Sequence, residues 1–358
     1  MQRLIDQLER ESTLSREEFA VLIDGHKTLG LADYLFARAS KVRQQVYGKE
    51  VFLRGLIEIS NYCRNNCFYC GIRCGNKDVE RYRLTKKQIL SCCRLGHKLG
   101  FRTFVLQGGE DTYFTDERLE DLLLSINAAY PDCAITLSLG ERSKESYRRL
   151  FAAGADRYLL RHETANADHY NSLHPASMSL RNRLQCLYDL KEIGYQVGCG
   201  FMVGSPGQTT ECLVEDLFLI QELQPQMVGI GPFIPHQDTP FASCVAGGLE
   251  LTLFLLGLLR LMSPKILLPA TTALGTIHPQ GREMGILAGA NVVMPNLSPQ
   301  EVRGKYLLYD DKICIGDKAE ESRYHIQASM HGIGYEVVTS RGDHIAFGQH
   351  TKTGGHDK

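Results

Sequence analysis

Net charge is nearly absent from this sequence: 40 lysines and arginines face 41 aspartates and glutamates, a balance of −1 over 358 residues. No run of like charges forms a tail either, so the electrostatic footprint of a nucleic-acid surface is missing. Long hydrophobic runs are missing too. The most apolar stretch, Leu249 to Met262, is too short to cross a bilayer and carries Glu250 and Arg260, so it reads as a helix packed against a sheet. The opening residues, Met1 to Arg10, are charged and amphipathic and lack the apolar core of a secretory signal. That reading places the chain in a reducing compartment, the cytoplasm, where its 12 cysteines are thiols or metal ligands and no disulfide framework forms. A phosphate-binding loop is also absent, because the Gly-Ser turn from Met202 to Thr209 has neither the lysine nor the spacing of one.

What is present is length and rhythm. At 358 residues and 43% hydrophobic, the chain can bury a large core as one α/β domain. Ser15 and Glu18 form a capping-box pattern ahead of Phe19 to Ile23, Gly25 stops that helix, and a second helix runs from Leu31 to Gly48. Apolar strands are then expected at Val51 to Ile59, Thr103 to Gln107, Ala134 to Leu139, Arg157 to Arg161, Gln196 to Val203, Met227 to Gly231, Ile266 to Pro269 and Asn291 to Met294. Helical patterns separate them, such as Thr85 to Leu99 with its Thr85/Gln88 cap, Asp116 to Ala129, Lys144 to Ala153, Leu180 to Ile193, Glu211 to Leu223, Leu249 to Met262 and Arg282 to Ala288. Unbroken strand-helix alternation implies a parallel sheet, and about eight such units close into a (β/α)8 TIM barrel; a doubly wound open sheet is the competing architecture. The expected organisation is a helical preface over 1–48, the barrel over 49–310, and a polar C-terminal extension over 311–358 that ends in a disordered Gly354 to Lys358.

Catalytic groups of such a barrel come from the carboxyl ends of its strands, and the polar oddities of this sequence fall there. After the first strand, Cys63, Cys67 and Cys70 form a C-x3-C-x2-C array. Three thiolates on one short loop can hold three irons of a 4Fe-4S cluster and leave the fourth iron open to a small molecule, whereas electron-shuttling clusters normally bring a fourth cysteine. Cys74 offers a rival: four thiolates suit a closed zinc or ferredoxin-like site, although such zinc sites usually pair two separated C-x2-C knuckles. Cys92, Cys93, Cys133, Cys186, Cys199, Cys212 and Cys244 lie in apolar helix or strand patterns and read as buried small hydrophobes. The array, with aromatic Tyr69 before its last cysteine, resembles the signature of the radical S-adenosylmethionine (SAM) superfamily. That resemblance implies that the open iron chelates SAM and that an electron from the cluster cleaves it to methionine and a 5'-deoxyadenosyl radical.

Later strand ends add to this pattern. Gly108-Gly109-Glu110 follows the second strand, and its paired glycines permit close backbone approach. The third strand ends in Leu137-Ser138-Leu139-Gly140-Glu141. At the fourth, Arg161 and Glu163 share one side if the strand persists, while His162 points away and reads as structural. Either the Arg161/Glu163 pair neutralises itself inside the barrel, as buried charges usually do, or Glu163 receives a ligand while Arg161 and Arg183 meet carboxylates. The turn from Met202 to Thr209 opens a helix and suits an anion. Gly229-Ile230-Gly231 leaves flat backbone on which an adenine ring can lie.

The stretches Arg161 to Asn166, Met202 to Thr209, Gly229 to His236 with Asp238 to Pro240, Pro269 to Thr276 and Asn291 to Asn296 together are similar to the HydE family, the radical SAM maturases that help assemble the di-iron subcluster of FeFe-hydrogenase. The likeness spans about Val51 to Cys314. By that resemblance the Gly108-Gly109-Glu110 loop binds the amino group of SAM, with Tyr69, Ser138, Glu163, Arg183, Gly229 and Ile230 completing its site. Arg161, Thr271, Thr272, Met294, Tyr306 and Tyr309 would line the cavity beside a substrate built from iron, CO, cyanide and cysteine. Partners implied are a radical SAM tyrosine lyase, a GTPase scaffold and an electron donor such as ferredoxin or flavodoxin. Plainer readings stand beside these: Met294 suits a core, and Tyr306 and Tyr309 are spaced like a helix stripe.

Two departures qualify the resemblance. Some relatives carry a second cluster on C-x7-C-x2-C, but here Cys314 is followed at those offsets by Ser322 and His325, a poor iron-sulfur set, so one cluster is expected. Gly108 stands where relatives often have serine. Biotin synthase and methylornithine synthase are the neighbouring alternatives within the group, the latter without the Thr271-Thr272 and Arg161-His162 signatures. A non-catalytic metal carrier is the alternative outside it, and such a carrier has no need of Gly108 to Glu110, Glu163 or Gly229 to Gly231.

Overall fold

The computed structural model of the chain describes residues 1–313 and 316–347. Three helices, Gln2–Glu11, Arg16–Asp24 and Leu31–Tyr47, come first. Ser15 caps the second as its sequence requires: its Oγ accepts from the Glu18 N–H at 3.2 Å while its own N–H donates to the Glu18 carboxylate at 2.8 Å. The helix Gln2–Glu11 was not among the expected elements. It buries Ile5 and Leu8, and with the other two it packs on the apolar helix Leu249–Met262. Gly257 makes that approach possible, since a Cβ there would stand 2.9 Å from Leu35. This is why the most hydrophobic helix is buried around nearly its whole circumference. No helix among the described residues is long and apolar enough to cross a membrane.

Eleven short strands follow: β1 Glu50–Leu53, β2 Gly55–Ser60, β3 Thr103–Gly108, β4 Ala134–Ser138, β5 Arg157–Leu159, β6 Gln196–Cys199, β7 Met202–Val203, β8 Met227–Val228, β9 Gly231–Pro232, β10 Val292–Val293 and β11 Glu336–Val338. All pair in parallel, in the orders β2-β3-β4-β5-β6-β8, β7-β9 and β10-β1-β11. Single parallel bridges continue the series: Met227 to Leu267, Pro269 to Val292, and Leu56 to Asn296. Every residue of β2 is buried, as expected for a parallel strand covered on both faces. Between strands run the helices Lys86–Lys98, Asp116–Ala129, Lys144–Ala152, Leu180–Ile193 and Thr210–Leu223. Each begins at a Ser or Thr whose side chain accepts from the third residue onward, satisfying a donor the helix cannot.

Three expectations are corrected. The strand expected through Arg161 stops at Leu159, and those expected at Gln196 to Val203 and Met227 to Gly231 are each split in two. The cause of the split is local: Gly200 at φ +152° comes so close to Gly229 that a Cβ would meet its carbonyl at 2.0 Å, so the paired strands bend together. The polar C-terminal extension is also no appendage. Its helix Ala319–Gly332 and strand β11 pack onto the body, with β11 in register on β1. Beyond it, Arg341 reaches Asp156 at 2.8 Å, and Asp343 accepts from Arg157 at 2.5 Å and Gln196 at 2.8 Å. Together these close the amino ends of β4 to β6. Gly354 to Lys358 and Cys314 lie outside the described residues.

Candidate active site at the carboxyl ends of the strands

The cysteine loop leaves β2 at Ser60 and returns at Tyr82. It has little regular structure, and polar side chains fix its path: the Arg81 guanidinium donates to the carbonyls of Ile72, Arg73 and Asn76 at 2.7–3.1 Å, and Asn61 Nδ2 donates to Glu80 O at 2.8 Å and Lys305 O at 2.6 Å. Cys63, Cys67 and Cys70 are half-buried, whereas Cys74 is exposed. Burial pushes all three half-buried thiols up, Cys67 to about 12. They are protonated in the metal-free chain, so ligation of a metal must release protons. Tyr69 stands behind them, its hydroxyl 3.2 Å from His174 Nε2.

Gly108 and Gly109 lie flat against this loop. A Cβ on Gly109 would meet the Tyr62 carbonyl at 2.3 Å and Cys63 Cβ at 2.7 Å, so only glycine fits. In the loop expected at the SAM amino group, one oxygen of the Glu110 carboxylate accepts from Arg64 Nε at 2.9 Å and the other from the Glu141 N–H at 2.9 Å. Ser138 ends β4 in register with Gln107. Arg183 is similarly engaged, with Nε 2.5 Å from Glu141 Oε1 and Nη1 3.0 Å from the Arg161 carbonyl. Burial opposes its charge, but the Glu141 carboxylate prevails and holds its pKa above the ordinary arginine value.

Past Leu159 the chain leaves the sheet, and Glu163 adopts a left-handed φ of 67° while bridging to Phe201. Arg161 Nη2 and Glu163 Oε2 are 3.1 Å apart, so the two meet even though the strand does not persist. His162 points the opposite way, to a fully buried Asp216 at 3.1 Å. Glu163 lies close enough for its charge to act on Cys67, Cys70 and Tyr69, and Arg161 close enough to act on Tyr309. Gly229 has no atom within 4 Å of where a Cβ would stand, and its neighbour Ile230 is fully buried. The Met202 to Thr209 turn, a candidate anion cradle, spends its groups on itself: Gln208 takes the Gly204 N–H at 2.6 Å and gives to Met202 O at 2.7 Å.

Thr271 precedes the helix Thr272–Ile277 with its buried Oγ1 unpartnered, 2.9 Å from where a Gly231 Cβ would be. The Thr272 carbonyl accepts from Thr276. Met294 packs on the inner cluster of Leu159, Met227 and Leu267. Tyr306 and Tyr309 sit on an irregular segment instead of a helix. The Tyr306 hydroxyl accepts from Gln107 Nε2 at 3.3 Å, and burial pushes Tyr309 up to about 12. The sequence reading missed Glu58, almost fully buried in β2, which meets Lys312 Nζ at 2.5 Å and Asn296 Nδ2 at 2.8 Å. A lone carboxylate in the apolar run Val51 to Ile59 was the available signal.

The Radical SAM superfamily pattern matches residues 57–220, the span that holds the cysteine loop and Glu163. The FeFe hydrogenase maturase subunit HydE of Thermotoga maritima is 48% identical over 289 residues, covering 81% of this chain and 82% of that protein. The 3-methylornithine synthase of Methanosarcina acetivorans is 30% identical over 261 residues, covering 72% of this chain and 73% of its own length. Among solved structures, that of methylornithine synthase superposes with a TM-score of 0.83 at 25% identity, over 94% of this chain and 97% of that one. The cysteine array, the glycine loop beside it and these similarities agree, and the chain belongs to the HydE family of radical SAM maturases.

Proposed function

We propose that this chain is a radical SAM enzyme that reductively cleaves SAM and acts in assembly of the di-iron subcluster of FeFe-hydrogenase. In this reading Cys63, Cys67 and Cys70 hold one 4Fe-4S cluster, on a (β/α)8 barrel over residues 49–310 with a helical preface and a C-terminal extension. The cluster supplies the electron that converts SAM into a carbon radical. The protein's part is to bind, orient and exclude water. Gly108 and Gly109 offer backbone close to Cys63, Gly229 and Ile230 offer a flat surface, and Tyr69, Ser138 and Arg183 shape the wall between. Arg161, Thr271, Thr272, Met294, Tyr306 and Tyr309 line the space for an iron, CO, cyanide and cysteine substrate. A tyrosine-lyase maturase would supply it, a GTPase scaffold would receive the product, and a ferredoxin or flavodoxin would provide electrons. The 11 cysteines among the described residues are all free, which suits a cytoplasmic setting.

The observation that carries this reading is a set of buried polar atoms on segments past the strand ends with no hydrogen-bond partner among the described residues: Arg161 Nε and Nη2, Glu163 Oε2 and Thr271 Oγ1. Buried polar groups are normally paired, so unpaired ones collected at strand ends point to a ligand. We read the chain as carrying no second cluster, since buried Ser322 and exposed His325 on the helix Ala319–Gly332 would leave Cys314 as the sole thiolate there. The match to 3-methylornithine synthase favours a second reading, a radical rearrangement of a small amino acid. One experiment separates them. After anaerobic reconstitution and dithionite reduction, 5'-deoxyadenosine formation should depend on the iron-cyanide-carbonyl substrate and not on an α-amino acid such as lysine; the reverse dependence favours the second reading.

A further inference from the structure

Away from the strand-end site, one group among the described residues brings three metal-ligating atoms within 4.8 Å of one another: His97, Asp132 and Cys133. His97 lies in the last turn of the helix Lys86–Lys98, and Asp132 and Cys133 lead into β4. They therefore sit at the opposite end of the strands from the cysteine loop. His97 Nε2 is 3.2 Å from Asp132 Oδ1, and Cys133 Sγ is 3.8 Å from the same oxygen. Tetrahedral zinc, with bonds of about 2.0–2.2 Å to nitrogen or oxygen and about 2.3 Å to sulfur, sets N and O ligands about 3.3 Å apart and S and O about 3.6 Å apart. The His97–Asp132 and Cys133–Asp132 pairs already stand near those separations, and the imidazole and thiol lie within 4.8 Å of each other.

We propose that His97, Asp132 and Cys133 form a divalent-metal site, with zinc the ion their ligand types suit best. The surroundings hold each ligand in place. Arg102 Nε donates to Asp132 Oδ2 at 2.7 Å, His97 Nε2 lies 3.1 Å from that oxygen and 3.2 Å from Oδ1, and the Cys133 thiol approaches Oδ1. The His97 ring lies against Tyr130 with centroids 5.0 Å apart. Cys133 is fully buried and forms the inner ligand, while His97 and Asp132 are 33% and 50% exposed and give an ion its entry. On binding, zinc replaces the Cys133 thiol proton, which is released to solvent, and takes the lone pair of His97 Nε2 with the ring proton on Nδ1. Three protein ligands leave the fourth position to water. In the absence of metal the same residues form an ion-paired cluster with Arg102.

The test uses the chain carrying its iron-sulfur cluster, washed with a chelator and dialysed anaerobically against micromolar zinc, with zinc and iron measured by elemental analysis. One zinc per chain should be gained with iron unchanged. His97→Ala and Asp132→Asn should each lower bound zinc roughly tenfold or more at the same free zinc. Zinc should raise the melting temperature of the parent and not of His97→Ala. The two surface variants guard against a misfolded Cys133→Ser. No zinc uptake by the parent, uptake in both variants equal to the parent's, or zinc gained only as iron is lost would each overturn the site.

Discussion

Arg161 Nη2 and Glu163 Oε2 stand 3.1 Å apart, yet neither atom has a hydrogen-bond partner. Their charges meet without alignment, so each keeps its hydrogen-bonding capacity. Glu163 also sits at a φ of 67°, a left-handed conformation that costs a non-glycine residue roughly 1–2 kcal/mol. Backbone bonds on both sides hold it there, from its own N–H to Gly200 O at 3.0 Å and from the Met202 N–H to its carbonyl at 3.2 Å. Strain and unspent polarity at one residue, kept in place by the frame, are what a preorganised ligand contact requires.

Glu163→Gln keeps the side-chain shape and removes the charge. SAM binding should weaken by about 1.5–3 kcal/mol, the size of a lost charge-assisted hydrogen bond, with iron content and melting temperature unchanged. Calorimetry on the reconstituted protein measures this; undiminished SAM affinity would assign Glu163 to a self-neutralising pair with Arg161.

Thr271→Val should separate folding from turnover. The buried hydroxyl has no partner among the described residues, so replacing it with a methyl removes an unpaired polar group and should leave the melting temperature unchanged or raise it by about 1 kcal/mol equivalent. Substrate-dependent formation of 5'-deoxyadenosine should fall. Full turnover in a stabilised variant would mean that Thr271 touches no ligand.

These sites were legible to different degrees. The cysteine array, the Thr85/Gln88 and Ser15/Glu18 caps and the strand-helix alternation are local signals, and the fold follows them. The left-handed Glu163, the break at Gly200 and the irregular path of Tyr306 and Tyr309 depend on which strands meet, which no window of sequence contains. Glu58 and Lys312 are 254 positions apart, and Arg157 and Asp343 are 186 apart. The docking of the C-terminal extension leaves little mark in the sequence, because its packing residues, such as Ala319, Ile326 and Met330, are few and widely spaced. That Arg64 and the Glu141 N–H hold the Glu110 carboxylate is likewise visible only in the folded chain.

Iron stoichiometry tests the cluster assignment. Cys63, Cys67 and Cys70 should each be required for the 4Fe-4S absorption, while exposed Cys74 should be replaceable by serine without loss of iron. Cys314→Ala should leave iron at about four per chain, because one thiolate and one imidazole make too few bonds for a second cluster. An iron excess that disappears in Cys314→Ala would restore a two-cluster protein, and loss of the cluster in Cys74→Ser would close the open-iron site.

Acid stability should report the C-terminal closure. Asp343 accepts from Arg157 Nη2 at 2.5 Å, Gln196 Nε2 at 2.8 Å and Arg341 Nε at 2.8 Å. Burial by itself would raise its pKa, but Arg157 and the hydrogen bonds from Arg341 and Gln196 bring it down to about 2. Because the folded value lies below the unfolded one, the carboxylate contributes stability above about pH 4, roughly 2 kcal/mol, and loses it as pH falls from about 4 toward 2. Asp343→Asn should cost more, about 3–5 kcal/mol at neutral pH. It leaves Arg157, only 1% exposed, with Thr103 Oγ1, the Arg341 carbonyl and the through-space charge of Asp156, without a directly bonded carboxylate. Denaturant melts of parent and variant should therefore converge as pH falls through that window, while SAM affinity, set at the other end of the strands, stays the same. A constant gap between them down to pH 2 would show that Asp343 acts through shape and not through charge.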